Sequence, residues 1–571
     1  MAEVGLLPFA GHPFPAARFR PRVGHPGETR MPDSCSNGVL MRGHLLVLLL
    51  ILFLTPLGVH AGGGDRTIQA DLSQVKGPRS MVWQDSVGAG RIAEGLRDGW
   101  RRQLELCRKE LGFQYLRAHG LLQDELGVYS EDKQGHPRYN WQYIDDVYDY
   151  LLSIGMRPFV EISFMPKALA SGDRTIFWWN ANVSAPNDYK KWDDLITALV
   201  KHWTDRYGAD EVKKWRFEIW NEPQLSIFFQ PPQGTSARDA YLELYEHTAK
   251  AVATVNSEYV IGGPAGPGWF EELIDYATQK SLPLNFISFH PYGLAGGPTG
   301  LDETGENLLY LSNDLNAVAR GANRGMDMIK NSAKPNLPIY ITEWSSSYSS
   351  RDPIHDTYFE APYILQQLRN TEQMGSMSYW TFTDVFEENG PGWRPFHGGF
   401  GLINYQGIKK PAYWAYWFLA RLGETEIKSS DPASYVCKDK QGGYQVLFWD
   451  LTHPIQGRVN GQVSDQEFFT KPLIPKEKSP AKVKLTNIPA GRYKLTIYRI
   501  TYQHNDPYSR YLEMGRPMDL SREDVAKLNV LSSGKPESES DVVVKGEFST
   551  TLPMLENSVY LLTLTPKGKN K

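Results

Sequence analysis

Cysteine is scarce in this sequence, which has 571 residues and three cysteines. One of them, Cys35, lies in an N-terminal stretch that shows no hydrophobic periodicity. Cys107 falls in a predicted helix and Cys437 in a distant predicted strand, so we expect no disulfide between them. This scarcity excludes a scaffold that is held together by disulfides.

The chain also lacks an excess of charge of either sign. Its 61 Lys and Arg are balanced by 65 Asp and Glu, which gives a formal net charge of -4 at pH 7. This balance gives no electrostatic reason to expect a nucleic acid or an anionic membrane as a partner. Association with further copies of the same chain stays open.

The apolar run Leu45 to Leu54 is too short to span a bilayer, which takes about 20 residues. It follows Met41-Arg42-Gly43-His44 and precedes Val59-His60-Ala61. A charged flank, a short apolar segment and a small-residue cleavage site are typical of a secretory signal. We expect residues 1–61 to be an N-terminal extension and signal peptide, with translation starting at Met31 or Met41. The processed protein is then secreted or periplasmic.

Patterns that bind metals or phosphates are lacking as well. His290, His355 and His397 are scattered without the Asp or Glu spacing of a zinc or calcium site. The segment Gly88-Ala89-Gly90 lacks the Lys-Ser/Thr pair that a nucleotide-binding loop needs. We therefore predict neither a metal nor a cofactor.

Two apolar segments each end in a glutamate. The stretch Phe217 to Pro223 reads Phe-Glu-Ile-Trp-Asn-Glu-Pro, and its strand must stop at the proline because proline has no N–H to continue a ladder. The stretch Leu337 to Trp344 repeats this design and carries Glu343 near its end. In a barrel of parallel strands, such ends meet at the mouth. Glu222 and Glu343 then form the pair of carboxyl groups that glycoside hydrolysis needs.

Strand-like and helix-like segments alternate between residues 81 and 420, which predicts a parallel sheet with helical crossovers. The eight predicted strands are Met81–Val87, Phe113–Arg117, Arg157–Ser163, Phe217–Pro223, Tyr259–Gly263, Asn285–Phe289, Pro338–Glu343 and Met377–Phe382. Eight strand–helix units favour an α/β fold of the (β/α)8 TIM barrel type over a doubly wound sheet.

The predicted secondary structure changes after about residue 420. Short alternating runs such as Gly443 to Trp449 and Arg492 to Ile500 are separated by turn residues. This pattern predicts a C-terminal β-sandwich accessory domain over residues 421–571, which residues 62–80 join through an N-terminal strand. A long polar insertion around residues 503–518 is expected to pack against a barrel.

The barrel segment resembles glycoside hydrolase family 39 of the clan A retaining enzymes, and within it the β-xylosidase branch. The matching motifs are Val87-Gly88-Ala89-Gly90-Arg91, Leu116-Arg117-Ala118-His119-Gly120, Phe164-Met165-Pro166-Lys167, Phe217 to Pro223, Thr342-Glu343, His355-Asp356-Thr357, Tyr379-Trp380-Thr381-Phe382, Phe386-Glu387-Glu388, Phe396-His397-Gly398-Gly399-Phe400-Gly401 and Met514-Gly515-Arg516-Pro517. Their order and spacing are more specific than Asn-Glu-Pro alone.

The resemblance implies that Glu222 is the acid/base and Glu343 the nucleophile. Glu222 needs a raised pKa, which the aromatic neighbour Trp220 and the charge of Glu343 could supply. The side chains that we expect to hold Glu343 charged and oriented are Arg117, His290 and Tyr292.

Other side chains are expected to contact the sugar. Asn221 would hydrogen-bond its 2-hydroxyl. By resemblance, the further contacts are His119, Trp380 as a stacking floor, Glu387 and Glu388. The alternatives are a core position for His119 and Trp380 and a solvated charge pair for the two glutamates. We expect Glu161 and Glu218, which lie inside strands, to form structural ion pairs.

These features together predict a secreted, retaining and exo-acting β-xylosidase that releases xylose from xylo-oligosaccharides. A related specificity, such as that of an α-L-arabinosidase, a β-glucosidase or an α-L-iduronidase-like enzyme, is the first alternative. The His397-Gly398-Gly399-Phe400-Gly401 and Phe386-Glu387-Glu388 segments favour the xylosidase pattern over the iduronidase pattern. A non-catalytic carbohydrate-binding barrel is the second alternative, and its mark would be the loss of either glutamate.

Overall fold

A computed structural model describes residues 66–295, 309–455 and 465–568 of the chain. The predicted extension and signal peptide, residues 1–61, lie outside the described residues. In the part of the chain that is described, no helix combines the length and the apolar character that crossing a membrane requires.

Eight parallel strands close into a barrel and follow one another around it in chain order. We number them one to eight: Ser86–Arg91, Tyr115–His119, Arg157–Ile162, Arg216–Ile219, Val260–Gly263, Phe286–Phe289, Ile339–Trp344 and Ser376–Tyr379. Strand eight pairs with strand one in parallel and closes the ring. The predicted (β/α)8 barrel is thus confirmed.

One helix follows each barrel strand and covers the outside of the barrel. These helices are Asp98–Glu110, Gln142–Ser153, Tyr189–Tyr207, Ala237–Val255, Phe270–Gln279, Ala317–Lys330, Glu360–Arg369 and Pro411–Leu419. Their apolar faces, for example Trp192, Leu195, Ile196 and Leu199 at helical spacing, are fully buried in the barrel core. Further α-helices of the described residues are Val82–Asp85, Ala209–Val212, Asp465–Phe469, Pro507–Glu513 and Arg522–Leu531.

The first strand differs from its predicted position. Met81–Val87 was expected to form it, but Val82–Asp85 is a single helical turn and the strand is Ser86–Arg91. The glycines of Gly88-Ala89-Gly90 lie inside this strand instead of ending it. A Cβ on Gly88 would lie 2.4 Å from Cε3 of Trp380, so glycine is required because that ring packs directly on the strand.

The accessory domain is a nine-stranded sheet. Its strands, in spatial order, are Ser538–Val544, Gly491–Ile500, Val559–Pro566, Tyr444–Trp449, Ser434–Lys438, Thr425–Ser429, Arg66–Pro78, Glu477–Thr486 and Glu547–Leu555. The N-terminal strand Arg66–Pro78 lies within this sheet, antiparallel to one neighbour and parallel to the other.

The sheet curls around a core of its own. Val544 and Phe548, from strands at opposite ends of the sheet, belong to one buried apolar cluster. Side chains alternate along each strand, so Val446 and Phe448 face this cluster while Leu447 and Trp449 join the barrel core. The strand Tyr444–Trp449 therefore packs into both cores, which holds the accessory sheet against the barrel.

The polar insertion around residues 503–518 packs against its own barrel. Its helix Pro507–Glu513 places Tyr508 and Tyr511 against Phe396, with ring centroids 5.8 and 5.1 Å away. Arg394 Nη1 donates a hydrogen bond of 2.6 Å to the Arg516 carbonyl. The accessory domain thus supports the loop after strand eight, one of the loops that shape the barrel mouth.

Candidate active site

A cavity of about 910 Å³ opens at the carboxyl ends of the barrel strands. Glu222 follows strand four, and Glu343 lies near the end of strand seven. Both side chains line this cavity, as the repeated strand-end pattern predicted. The other lining residues are His119, Asn221, Gln224, Leu225, Ser226, Ile227, Phe228, Pro267, His290, Tyr292, Tyr348, Ser349, Ser350, Trp380, Glu388 and Asn389.

The chain turns sharply where it delivers Glu222. Strand four ends at Ile219, and both Trp220 and Glu222 then adopt positive φ angles of 70° and 45°. This left-handed region is unfavourable for side chains larger than glycine and is found most often at functional sites. The buried Trp220, whose indole N–H donates to the Phe228 carbonyl at 2.9 Å, anchors the turn.

Arg117, from strand two, lies at the centre of the polar groups beneath the cavity. Its guanidinium is fully buried and donates to Glu343 Oε1 at 2.6 Å and to Asn221 Oδ1 at 2.9 Å. It also forms ion pairs with Glu161 and Glu218. Burial disfavours the charged guanidinium, but the surrounding carboxylates outweigh it and leave the pKa of Arg117 above its usual value.

Glu343 is oriented from two sides. Oε1 accepts from Arg117, and Oε2 accepts from the Tyr292 hydroxyl at 2.7 Å. Two such donors favour the ionised carboxylate. The structure therefore brings Arg117 and Tyr292 to Glu343 as expected.

His290 bonds to the other glutamate instead. Its Nδ1 lies 2.9 Å from Glu222 Oε1 and 3.6 Å from Glu343 Oε2, so its hydrogen bond belongs to Glu222. We expected His290 to support Glu343, but its Nδ1 hydrogen bond goes to Glu222 instead. The reason is the left-handed turn, which swings the Glu222 side chain toward strand six.

A chain of hydrogen bonds fixes the protons between these groups. Thr342 Oγ1 donates its single hydrogen to Glu218 Oε1 at 2.9 Å, so it must accept from His290 Nε2, 3.0 Å away. A neutral His290 that carries its proton on Nε2 has a lone pair on Nδ1. The proton between His290 and Glu222 then belongs to Glu222.

The electrostatic environment agrees with this proton placement. Burial raises the pKa of Glu222 well above its usual value, and the charge of Glu343 raises it further. Burial lowers the pKa of His290 well below its usual value, with a further contribution from the positive charge of Arg117. Glu222 is thus held protonated beside a neutral imidazole, while Glu343 accepts two hydrogen bonds.

The two carboxyl groups face each other across a short gap. One oxygen of Glu222, one oxygen of Glu343 and one nitrogen of His290 all lie within 4.8 Å of one another. Two carboxyl oxygens and one histidine nitrogen at this spacing are a set of atoms that could bind a divalent cation. The buried guanidinium of Arg117 and the proton on Glu222 both oppose a resident cation there, and the arrangement instead suits proton transfer and nucleophilic attack.

His119 and Trp380 form the deep wall of the cavity. His119 Nδ1 bonds to Glu161 Oε2 at 2.7 Å, which leaves Nε2 to face the cavity. The Trp380 ring lies 4.7 Å from the His119 ring, and the Arg117 guanidinium lies 5.8 Å from the Trp380 ring centroid. Both aromatic side chains are therefore fixed from behind and open to a ligand in front.

The adjacent Glu387 and Glu388 point in different directions. Glu388 lines the cavity, and burial together with the charge of Glu343 raises its pKa well above its usual value. Glu387 lies outside this cavity, because Arg91 and Arg97 bind both of its oxygens at 2.6–2.9 Å. The expected sugar contact of Glu387 is thus replaced by an ion pair that holds the loop after strand eight against the loop after strand one.

The sequence did not reveal the full set of hydrogen bonds made by three buried side chains, Glu161, Glu218 and Thr342. Glu161 and Glu218 form the ion pairs expected of them, but Glu161 also orients His119, and Glu218 also bonds to Thr342. The available signal was an acidic residue at an inward-facing position of a barrel strand. Thr342 carried no signal beyond its position next to Glu343.

Comparisons with known proteins agree with one another. The sequence profile described as glycosyl hydrolases family 39 matches residues 67–549. The chain is 37% identical over 501 residues to a β-xylosidase of Caldicellulosiruptor saccharolyticus, covering 86% of this chain and 96% of that protein.

Two crystal structures are similar in both sequence and fold. A family 39 enzyme of Xanthomonas axonopodis pv. citri superposes with a TM-score of 0.83 at 39% identity, over 90% of this chain and 100% of the other. A monomeric β-xylosidase of Caulobacter crescentus CB15 gives a TM-score of 0.83 at 38% identity, over 88% and 100% of the two chains.

The first prediction tests the central position of Arg117. Arg117→Met leaves buried carboxylates without their cation, and we expect it to lower the free energy of unfolding by about 3–5 kcal/mol, because an uncompensated buried charge is strongly destabilising. Urea unfolding followed by circular dichroism measures this difference. Arg102→Met, which removes an arginine whose side chain is 72% exposed, serves as the control and should change it by about 1 kcal/mol or less. Equal effects of the two substitutions would contradict this account.

Proposed function

The chain belongs to glycosyl hydrolases family 39, and from that membership we propose that it is a retaining β-xylosidase in which Glu222 is the acid/base and Glu343 the nucleophile. The observation that carries the proposal is the gap between the two carboxyl groups, whose oxygens approach within 4.8 Å. Retaining enzymes hold the two carboxyl groups roughly 5–5.5 Å apart, whereas inverting enzymes need about 6.5–9.5 Å to admit a water molecule. The 4.8 Å here is the approach of one oxygen from each group, and it supports the closer, retaining arrangement. The β-xylosidase names of the similar proteins support the choice of sugar.

In the first step, Glu343 attacks the anomeric carbon while Glu222 donates its proton to the departing oxygen. The glycosidic bond breaks, the alcohol leaves, and the sugar becomes a covalent ester of Glu343. The hydrogen bonds from Arg117 and Tyr292 aim the attacking carboxylate. The raised pKa of Glu222 favours the protonated acid that this step needs.

In the second step, Glu222 takes a proton from a water molecule that attacks the same carbon from the face the alcohol has left. The ester bond breaks, Glu343 is released as a carboxylate, and the sugar keeps its original anomeric configuration. His290 remains neutral throughout because burial opposes its protonation. Its Nδ1 accepts the hydrogen bond of the protonated Glu222 carboxyl, which positions the acid before the first step and again after the second.

The remaining cavity residues suit a sugar ring at the deep end. Asn221 is held by Arg117 and lines the cavity, where it would bond to the 2-hydroxyl of the sugar. Trp380 supplies a flat surface, and His119 and Glu388 supply polar contacts. The rings of Phe386 and Phe400 stand behind Trp380, so this wall has little freedom to retreat for a C6 hydroxymethyl group. This closed wall favours xylose over glucose.

We also propose exo action, in which single xylose units leave from the ends of β-xylosides, xylo-oligosaccharides included. We further propose that the enzyme is secreted or periplasmic, on the basis of the sequence pattern of residues 41–61. An α-L-arabinosidase, β-glucosidase or α-L-iduronidase-like specificity is the alternative within the family. A non-catalytic binding protein is disfavoured because both glutamates and their supporting bonds are in place.

The second prediction concerns the substrate and the stereochemistry. We expect kcat/KM for an aryl β-xyloside to exceed that for the aryl β-glucoside by about 100-fold or more, with the α-L-arabinopyranoside between them, because a clash at C6 displaces the ring. Proton NMR of the early product should show β-xylose. Similar rates on xyloside and glucoside would refute the closed pocket, and α-xylose as the first product would refute the double displacement.

The third prediction separates the roles of the two glutamates. Glu343→Ala should abolish turnover, and azide should restore it and yield a glycosyl azide of inverted configuration. Glu222→Ala should retain the first step on substrates with good leaving groups, since these need no acid, and should slow the second step. Stopped-flow bursts on activated and unactivated aryl xylosides measure both effects. Equal losses on the two substrate types in Glu222→Ala would reverse the assignment.

The fourth prediction tests the hydrogen-bond chain. Thr342→Val removes the acceptor of His290 Nε2, so His290 can move its proton to Nδ1 and donate to Glu222. This bond stabilises the ionised carboxylate and lowers the pKa of Glu222. Since the protonated acid is the active form in the first step, the alkaline limb of the kcat/KM profile should move to lower pH, by about one unit.

Thr342→Ser is the matched control for this prediction. It keeps the hydroxyl that accepts from His290 and donates to Glu218, and it should keep the alkaline limb of the parent enzyme. A merely structural effect of Thr342 would lower kcat/KM in both variants at every pH and leave the limb where it was. That result would contradict the proton placement.

A further inference from the structure

The mouth of the active-site cavity is apolar. Leu225 and Ile227 are 37% and 56% exposed, and Phe228 and Pro267 complete this surface, which we call the apolar rim. Large aliphatic side chains grouped at the edge of a cavity are unfavourable in water, and such groups commonly mark binding sites. The apolar rim therefore needs an explanation beyond packing.

The position of Glu222 assigns the apolar rim to one end of the substrate. Leu225 and Ile227 lie on the loop that carries Glu222, within five residues of it. A general acid must lie beside the oxygen that it protonates, so the surface next to Glu222 faces the departing group. The deep end of the cavity, formed by the buried His119 and Trp380, is left for the sugar.

The polar side chains near the apolar rim are mostly engaged with the protein. The Gln224 amide nitrogen donates to the Gly268 carbonyl at 2.8 Å. Across the cavity, Ser350 Oγ accepts from Asn389 Nδ2 at 3.2 Å, and Ser349 Oγ accepts from the Arg351 backbone N–H at 3.3 Å. The exposed Ser226 hydroxyl and the O–H groups of Ser349 and Ser350 could still bond to a second sugar ring. The apolar side chains beside Glu222 offer no partner to the other hydroxyl groups that such a ring would bring to this surface.

Resting on the proposed function, we infer that the leaving-group site of this enzyme is built for apolar alcohols and phenols. The favoured substrates are β-xylosides in which xylose is joined to an alkyl, aryl or terpenoid-like group, in preference to xylobiose. Burying such a group removes apolar surface of both partners from water, whereas a sugar hydroxyl placed on Leu225 and Ile227 loses its hydration without compensation.

A series of alkyl β-xylosides tests this inference. Methyl, butyl and hexyl xylosides release alcohols of similar acidity, so differences in kcat/KM report binding of the chain. For the wild type we expect a rise of about tenfold or more from methyl to hexyl. The double substitution Leu225→Asn and Ile227→Asn should remove most of this rise, which is read as the ratio of kcat/KM for hexyl to that for methyl xyloside within each variant.

Ile474→Asn is the matched control, because Ile474 is 69% exposed and lies outside the cavity. It should keep the full dependence on chain length. Cleavage of methyl xyloside and xylobiose without a rise along the series, or a kcat/KM for xylobiose above that for hexyl xyloside, would overturn the inference alone. Failure to cleave any xyloside would overturn the proposed function, and the inference with it.

Discussion

The buried guanidinium of Arg117 is the interaction on which the rest of the site depends. Three carboxylates from strands three, four and seven and one amide oxygen from the turn after strand four converge on this side chain of strand two. A single cation thus joins half of the barrel at the level where the reacting groups stand. Without it, Glu161, Glu218 and Glu343 would repel one another with no opposite charge between them, and Glu343 would lose the donor that orients its Oε1.

The same centre also separates the chemical states of two otherwise equal glutamates. Glu343 is paired with the Arg117 guanidinium, whereas Glu222 is hydrogen-bonded to the neutral imidazole of His290. The His290 proton points to Thr342, which in turn donates to Glu218. Two carboxyl groups within 4.8 Å cannot both ionise easily, so this asymmetry decides which one keeps the proton. In the proposed mechanism the acid and the nucleophile are therefore distinguished before any substrate arrives, and binding need not reorganise them.

The barrel and the positions of Glu222 and Glu343 could be predicted from the sequence, because hydrophobic periodicity and a strand-ending proline are local signals. The sequence was insufficient where contacts between distant segments decide. The first strand was predicted to end at Val87, yet it continues to Arg91, where Gly88 makes room for Trp380 and Gly90 for Phe386, nearly three hundred positions later in the chain. The partners of His290 and Glu387 likewise depend on a backbone turn and on two arginines, which no periodicity reveals.

The motif Phe396 to Gly401 shows how remote contacts reach the site. A Cβ on Gly398 would lie 2.4 Å from the Asp352 backbone, and one on Gly401 would lie 2.3 Å from that of Asp384, so both positions require glycine. This close approach lets the fully buried Lys410 bridge Asp356 and Asp384 at 2.6 and 2.7 Å, joining the loops after strands seven and eight. The approach also seats Phe400 against Phe386, and Phe386 against Trp380. Tyr508 and Tyr511 of the accessory domain pack against Phe396. The accessory domain therefore helps to fix the cavity wall that Trp380 forms.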